Sequence, residues 1–180
     1  MRLFISINIE GELAKMFSKK VEELKKHSIR GRFPEPENMH LTVVFLGETE
    51  NVEAVKQAMD NIKARPFELK FRKIGKFTRQ GRETYFVSLR GAAALKSINH
   101  QLTEALSDAG FELDKREYTP HLTLGRNLVF DMDFDLEEFS KGVSEMKARM
   151  KVMKISLMKS ERVEGKQEYT EIYHVDLYEE

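Results

Sequence analysis

The sequence predicts an α+β protein with a bilobal, duplicated fold, in which two antiparallel sheets, each backed by helices, face one another across a central groove. Three observations predict it. Short runs with strand-like alternation intersperse with amphipathic stretches of helical period along the whole chain of 180 residues. The order of these elements in the first half recurs in the second. Landmarks recur with it: His40 and His121 lie 81 residues apart, Phe4 and Phe86 82, and Gly81 and Gly165 84. So long a repeat, used only twice, points to one two-lobed domain over residues 1–180, with pseudo-repeats of roughly 1–83 and 84–180, and not to a solenoid. Each half is expected to form its own small sheet.

Taken in order, Leu3 to Ile9 alternates as a short strand, and Glu12 to Lys26 is an amphipathic helix with Leu13, Met16, Phe17, Val21 and Leu24 on one face. Arg30 to Asn38 carries Pro34 and Pro36 and reads as a loop. Met39 to Gly47 is a buried strand, and Asn51 to Ala64 a second helix. Phe67 to Phe77 and Thr84 to Arg90 form a hairpin around Gly81. The series then restarts. Ala92 to Ala109 is a helix with Leu95, Ile98, Leu102 and Leu106 inward and Gly110 at its end. His121 to Val129 is a strand, and Phe134 to Phe139 a short helix. Arg149 to Met158 alternates with a one-residue slip, read as a bulge, and a turn at Gly165 leads to a last strand, Tyr169 to Tyr178.

Composition narrows the chemistry. The 30 Lys and Arg balance the 30 Asp and Glu, so nucleic-acid binding must come from a local basic patch. The absence of cysteine excludes disulfides, thiolate zinc sites and a cysteine nucleophile. The N-terminal apolar run is too short for a signal peptide, and no run reaches membrane-span length. A cytoplasmic monomer without membrane attachment is expected.

The strongest local signal is His40-Leu41-Thr42, repeated as His121-Leu122-Thr123. On a strand, residues i and i+2 share a face, so each motif offers an imidazole and a hydroxyl together. Two lobes related by a pseudo-two-fold would bring both sets to one groove. A neutral imidazole can take a proton from water, and a protonated one can give a proton to a departing oxygen. Both forms exist near neutral pH. Thr42 and Thr123 can donate to phosphate oxygens as charge grows there. A metal site would need a third ligand, and none stands at an obvious spacing, so neither metal nor cofactor is expected.

The segments MHLTVVFLG and YTPHLTLGR resemble the two signature motifs of the 2H phosphoesterase superfamily, most closely its RNA 2′,3′-cyclic phosphodiesterases, also called 2′-5′ RNA ligases. The resemblance spans nearly the whole chain. It implies a bilobal fold, RNA with a cyclic phosphate end (or small cyclic nucleotides) as substrate, and opening of the ring to a 2′-phosphate. His40 would then be the proton donor to O3′ and His121 the base that activates water. ATP-independent 2′-5′ ligation, the reverse reaction, and a non-catalytic RNA-binding module are the competing readings. Arg126 matches an arginine that often follows the second motif and would bind phosphate. Strict alternation from His121 turns Arg126 to the wrong face unless a bulge lies at Gly125. Leu46 is read at the corresponding place in the first motif. The family often has Arg-Trp before the first motif, and Arg32-Phe33 stands here, leaving a base-stacking role open for Phe33.

Tyr118 either contacts substrate or fixes the turn into the second motif. His27, His100 and His174 read as structural. Two basic stretches, Lys70 to Arg82 and Lys147 to Lys166, read either as an RNA-backbone rim or as a solvated surface balanced by the acidic segment Asp131 to Glu138.

Overall fold

The computed structural model describes residues 1–179. The strands are β1 (Arg2–Asn8), β2 (Ser28–Arg32), β3 (His40–Glu48), β4 (Phe67–Arg79), β5 (Arg82–Arg90), β6 (His121–Phe130), β7 (Arg149–Val152), β8 (Lys154–Val163) and β9 (Lys166–Asp176). The helices are α1 (Gly11–Lys26), α2 (Val52–Asp60), α3 (Ala93–Asp108) and α4 (Leu136–Glu145), with a single 3-10 turn at Pro36–Asn38. One sheet runs β3-β1-β8-β9 and the other β2-β6-β5-β4-β7, and every pairing is antiparallel. No helix among the described residues is long and apolar enough to cross a membrane.

The expectation that each half builds its own sheet does not hold. The first sheet takes β1 and β3 from the first half and β8 and β9 from the second, and the other sheet takes β2 and β4 from the first half. The helices exchange in the same way. Helix α1 packs on β2 and β6, with Phe17 against Phe71 of β4 at 4.9 Å. Helix α3 follows β5 yet packs on α2 and β3. Antiparallel neighbours need only a tight hairpin, so Gln80-Gly81 (φ 51° and 73°) returns β4 to β5, and Glu164-Gly165 (φ 51° and 80°) returns β8 to β9. Two consecutive left-handed residues are the type I′ geometry that matches strand twist. Each hairpin is completed inside one lobe by strands from both halves.

The slip seen in residues 149–158 is the point where the chain changes sheets. Arg149–Val152 pairs with β4, while Lys154–Val163 pairs with β1. Met153 between them is half exposed. A bulge and a crossover look alike in the sequence, because each adds one residue to the alternation. Strand β2 occupies part of the expected loop, pairing with β6 at the sheet edge, where weak alternation hides it. Helix α4 runs past the expected end at Phe139 to Glu145, with Asp135 accepting from the Glu138 N–H at 3.0 Å as its cap. Core residues fall where the periodicities place them. Leu3, Ile5 and Ile7 fill one face of β1, and Leu95, Ile98, Leu102 and Leu106 one face of α3, all essentially sealed from solvent.

Candidate active site

His40 opens β3 and His121 opens β6, and these two strands meet across the lobes. In each motif the apolar residue is buried towards the helices while His and Thr are half-buried on the other face. The Nδ1 of His40 lies 2.6 Å from the Asn38 carbonyl, and the Nδ1 of His121 lies 2.7 Å from the Thr119 carbonyl. A carbonyl only accepts, so the proton sits on Nδ1 in both rings and Nε2 is the atom that titrates. The partner is two residues upstream in each case, so the strand entry itself fixes the tautomer.

Aromatic rings hold each imidazole. His40 lies against Phe4 and Tyr169, at centroid distances of 4.9 and 5.3 Å. His121 lies against Phe77 and Phe86, at 5.0 and 5.3 Å. These four aromatics were not singled out as site residues by the sequence; they come from strands distant in the chain from the motifs they serve. The 82-residue spacing of Phe4 and Phe86 is not register equivalence. Phe86 sits opposite Thr123, and it is Ser6 that sits opposite Thr42.

A bulge does rescue Arg126. The ladder passes from Tyr85–Gly125 to Phe86–Thr123, leaving Leu124 as the extra residue. The first motif slips at the matching point, from Ile5–Val44 to Ser6–Thr42, with Val43 extra. Burial shows the phase change, since Leu124 and Gly125 are both buried and Arg126 turns outward again. Each bulge brings the fifth residue after the histidine onto the imidazole face. That residue is Arg126 in β6 and Phe45, not Leu46, in β3. A side chain at Gly125 would meet Leu128 at 2.8 Å, which suits glycine there. The bulged backbone of β3 is satisfied from the other half of the chain: the Asn99 amide donates to the Val43 carbonyl at 2.8 Å, and the Tyr118 hydroxyl donates to the Thr42 carbonyl at 2.8 Å. Tyr118, uncertain in the sequence, is a tie between the lobes.

Burial lowers the proton affinity of both imidazoles below the usual 6.5, partly offset by the backbone carbonyls. The Arg126 charge lowers both further, and the His121 charge also reaches His40. Both rings and Arg126 therefore share one electrostatic space. Much of the Arg126 side chain reaches solvent, yet its guanidinium is desolvated enough to weaken its own hold on a proton, with Tyr169 opposing that shift and Arg32 adding to it. Arg32 stands directly opposite Arg126 on β2, and a hollow of about 430 Å³ opens beside them, lined by Arg30, Gly31, Arg32, Arg82 and Asn127.

The remaining candidates fall elsewhere. Phe33 packs against the core with the Lys25 ammonium 5.7 Å from its ring centre. His27, His100 and His174 lie 3.7, 3.4 and 3.1 Å from the carboxylates of Asp131, Glu104 and Glu171.

The two lobes each present a histidine and a threonine at the start of a bulged strand, the paired-histidine arrangement that the resemblance to 2H phosphoesterases implies. Among solved structures, the chain superposes on the LigT protein of E. coli complexed with 3′-AMP with a TM-score of 0.80, at 21% identity and over 99% of this chain and 98% of that one. It superposes on the TT0787 protein of Thermus thermophilus with a TM-score of 0.73, at 20% identity and 98% coverage of both. At these identities the likeness shows the fold. Residues 14–164 match the family model of the 2′-5′ RNA ligase superfamily. A protein of Methanocaldococcus jannaschii named RNA 2′,3′-cyclic phosphodiesterase is 34% identical over 136 residues, 73% of this chain and 74% of that one. Its namesake in Bacillus subtilis is 29% identical over 136 residues, 72% and 74% of the two chains. The chain belongs to the 2′-5′ RNA ligase superfamily.

Proposed function

We propose that this protein is an RNA 2′,3′-cyclic phosphodiesterase in which His121 acts as base and His40 as acid. Water attacks phosphorus while the His121 Nε2 takes its proton. The bond from phosphorus to O3′ breaks, and the His40 Nε2 delivers a proton to that oxygen. The products are a 3′-hydroxyl and a 2′-phosphate. Thr42, Thr123 and Arg126 hold the non-bridging oxygens as negative charge accumulates on them. One observation carries this reading: both rings are anchored through Nδ1 to a backbone carbonyl, leaving two Nε2 atoms within the field of a single arginine. The names of the relatives support the substrate class.

Both imidazoles are biased towards the neutral form in the free protein, which suits the base but not the acid. A bound phosphate anion beside Arg126 counteracts that bias and lets one proton reside on the pair. The test is turnover of a nucleoside 2′,3′-cyclic phosphate in EDTA, with the product isomer identified. The 2′-phosphate is expected. The 3′-phosphate would show that O2′ is the leaving group, and no turnover at all would sink the assignment. Replacing water by a 5′-hydroxyl in the same geometry is ligation, and competition between water and a 5′-hydroxyl oligonucleotide measures the balance.

A further inference from the structure

We propose that a second basic hollow, at the end of the β5-β4-β7 edge beyond His121, is a subsite for backbone phosphates of the RNA strand whose cyclic end lies between the imidazoles. This deepens the phosphodiesterase reading and rests on it. The hollow, of about 520 Å³, is lined by Lys70, Arg72, Lys73, Arg90, Lys147 and Arg149, together with Phe71, Ser144 and Ala148. None of these six cations lies within ion-pair distance of a carboxylate among the described residues, although the chain as a whole is neutral.

Register makes the cluster costly. Lys70 stands directly opposite Arg90 on one side and Arg149 on the other, so three cations form a row across three strands. Like charges directly opposite in a sheet destabilise it. The next rung, Glu68 opposite Lys151, is of mixed sign. The corresponding end of the other sheet is compensated: Lys154 stands opposite Asp176 and holds Glu171 at 3.1 Å. An uncompensated row at one end only is what a polyanion site requires.

The hollow is also built and aimed. Strand β4 bulges between Phe71 and Ile74, which pushes Arg72 and Lys73 outward. The loosened backbone is fixed by Ser144, donating to the Arg72 carbonyl at 2.8 Å, and by Ser140, accepting from the Ile74 N–H at 3.0 Å. Ser88 donates to the Lys73 carbonyl at 3.0 Å and accepts from its N–H at 3.3 Å. Ser88 is the residue opposite His121. Arg90 follows it by two residues on the same face, about 7 Å further along the strand. A chain leaving the imidazoles along β5 therefore meets Arg90 and then the rest of the row.

The test compares a mononucleoside 2′,3′-cyclic phosphate with a single-stranded oligoribonucleotide ending in the same group, using the full chain and the variant K70Q/R90Q/R149Q. The variant is expected to turn over the mononucleoside as the wild type does, within about two-fold, and to raise KM for the oligonucleotide by ~10-fold or more at low salt. The salt dependence of oligonucleotide binding should flatten by about 2 in log–log slope, since each phosphate contact on a single strand contributes ~0.7. Removing the like-charge row should leave the Tm in the absence of RNA unchanged or higher, which separates a lost site from a lost fold. Equal loss on both substrates, an unchanged oligonucleotide KM, or displacement of bound RNA by polyglutamate at equal charge concentration would overturn the subsite. Binding of a fluorescent 3′-phosphorylated oligonucleotide reads the hollow without catalysis. Impaired binding by the variant alongside an inactive wild type would retire the phosphodiesterase reading and keep the subsite.

Discussion

His40 and His121 occupy matched frames with unmatched contents. Each stands at the first position of a strand, each is tied through Nδ1 to the carbonyl two residues back, each has two aromatic neighbours, and each precedes a bulge by three residues. The differences lie in what reaches Nε2. His40 has the Thr42 hydroxyl at 3.0 Å and a phenolic ring, Tyr169, at its edge. His121 has the unsubstituted ring of Phe77 at the equivalent edge. The position that carries Arg126 beside His121 carries Phe45 beside His40, and the guanidinium over that ring, 5.0 Å from its centre, belongs to Arg2. On the proposed mechanism, a repeated backbone supplies two like imidazoles, and a few unlike neighbours would divide the labour between them. Environments that separate the behaviour of two titratable groups are how acid and base roles are assigned at one pH.

Replacing either histidine should break the comparison most severely. H40A and H121A are each expected to lower kcat by at least ~10²-fold on a cyclic phosphate. A substrate whose leaving group needs no proton, such as a p-nitrophenyl phosphodiester, should restore much of the H40A loss and little of the H121A loss. The opposite pattern would exchange the two roles. Next in size is R126Q. On the proposed role, a charge-assisted hydrogen bond to phosphate of about 1.5–3 kcal/mol would be lost, so kcat/KM should fall by about 10- to 150-fold. Because the Arg126 charge lowers both imidazoles, its loss raises both, and the bell of kcat/KM against pH should move to higher pH. A bell that stays in place would show that Arg126 does not act on the pair.

The ties from the second half of the chain to the bulged backbone of β3 give a smaller effect. N99A leaves the bulge carbonyl of Val43 without its partner and should cost about 1–3 kcal/mol, read as a lower urea midpoint. Y118F removes one hydrogen bond and should cost ~1 kcal/mol. If either variant also loses catalytic rate beyond its effect on stability, the bulge it supports positions His40. The smallest expected effect is in pH-dependent stability. Both imidazoles bind protons more weakly when folded than at the usual 6.5, so the unfolded chain takes up protons first as pH falls through that value. Wild-type stability should fall with decreasing pH in the window from there down to the folded values, and H121N should fall less steeply. An identical slope in the variant would remove the case for a depressed His121.

Much of this could be read from the chain. Among the described residues, alternation and helical period located three of the four helices, the first turn of the fourth, and most strands, and the two His-Leu-Thr triplets were legible because a strand presents i and i+2 on one face whatever surrounds it. Strict alternation turns Arg126 away from the imidazole face and the observed bulge turns it back, and glycine at 125 marks a tight spot without saying which way the register slips. Strand β2 and the crossover at Met153 were hidden for a related reason: local pattern records which residues alternate but not which strand they pair with.

By itself the sequence determined most of the elements, the paired motifs and the side chains able to carry protons, because these depend on contacts a few residues apart. Only the tertiary structure decided that the halves exchange strands and helices, that Phe4, Tyr169, Phe77 and Phe86 hold the imidazoles, and that Lys70, Arg90 and Arg149 share a row. Those facts depend on register between strands far apart in the chain, and a shift of one residue turns every side chain to the opposite face.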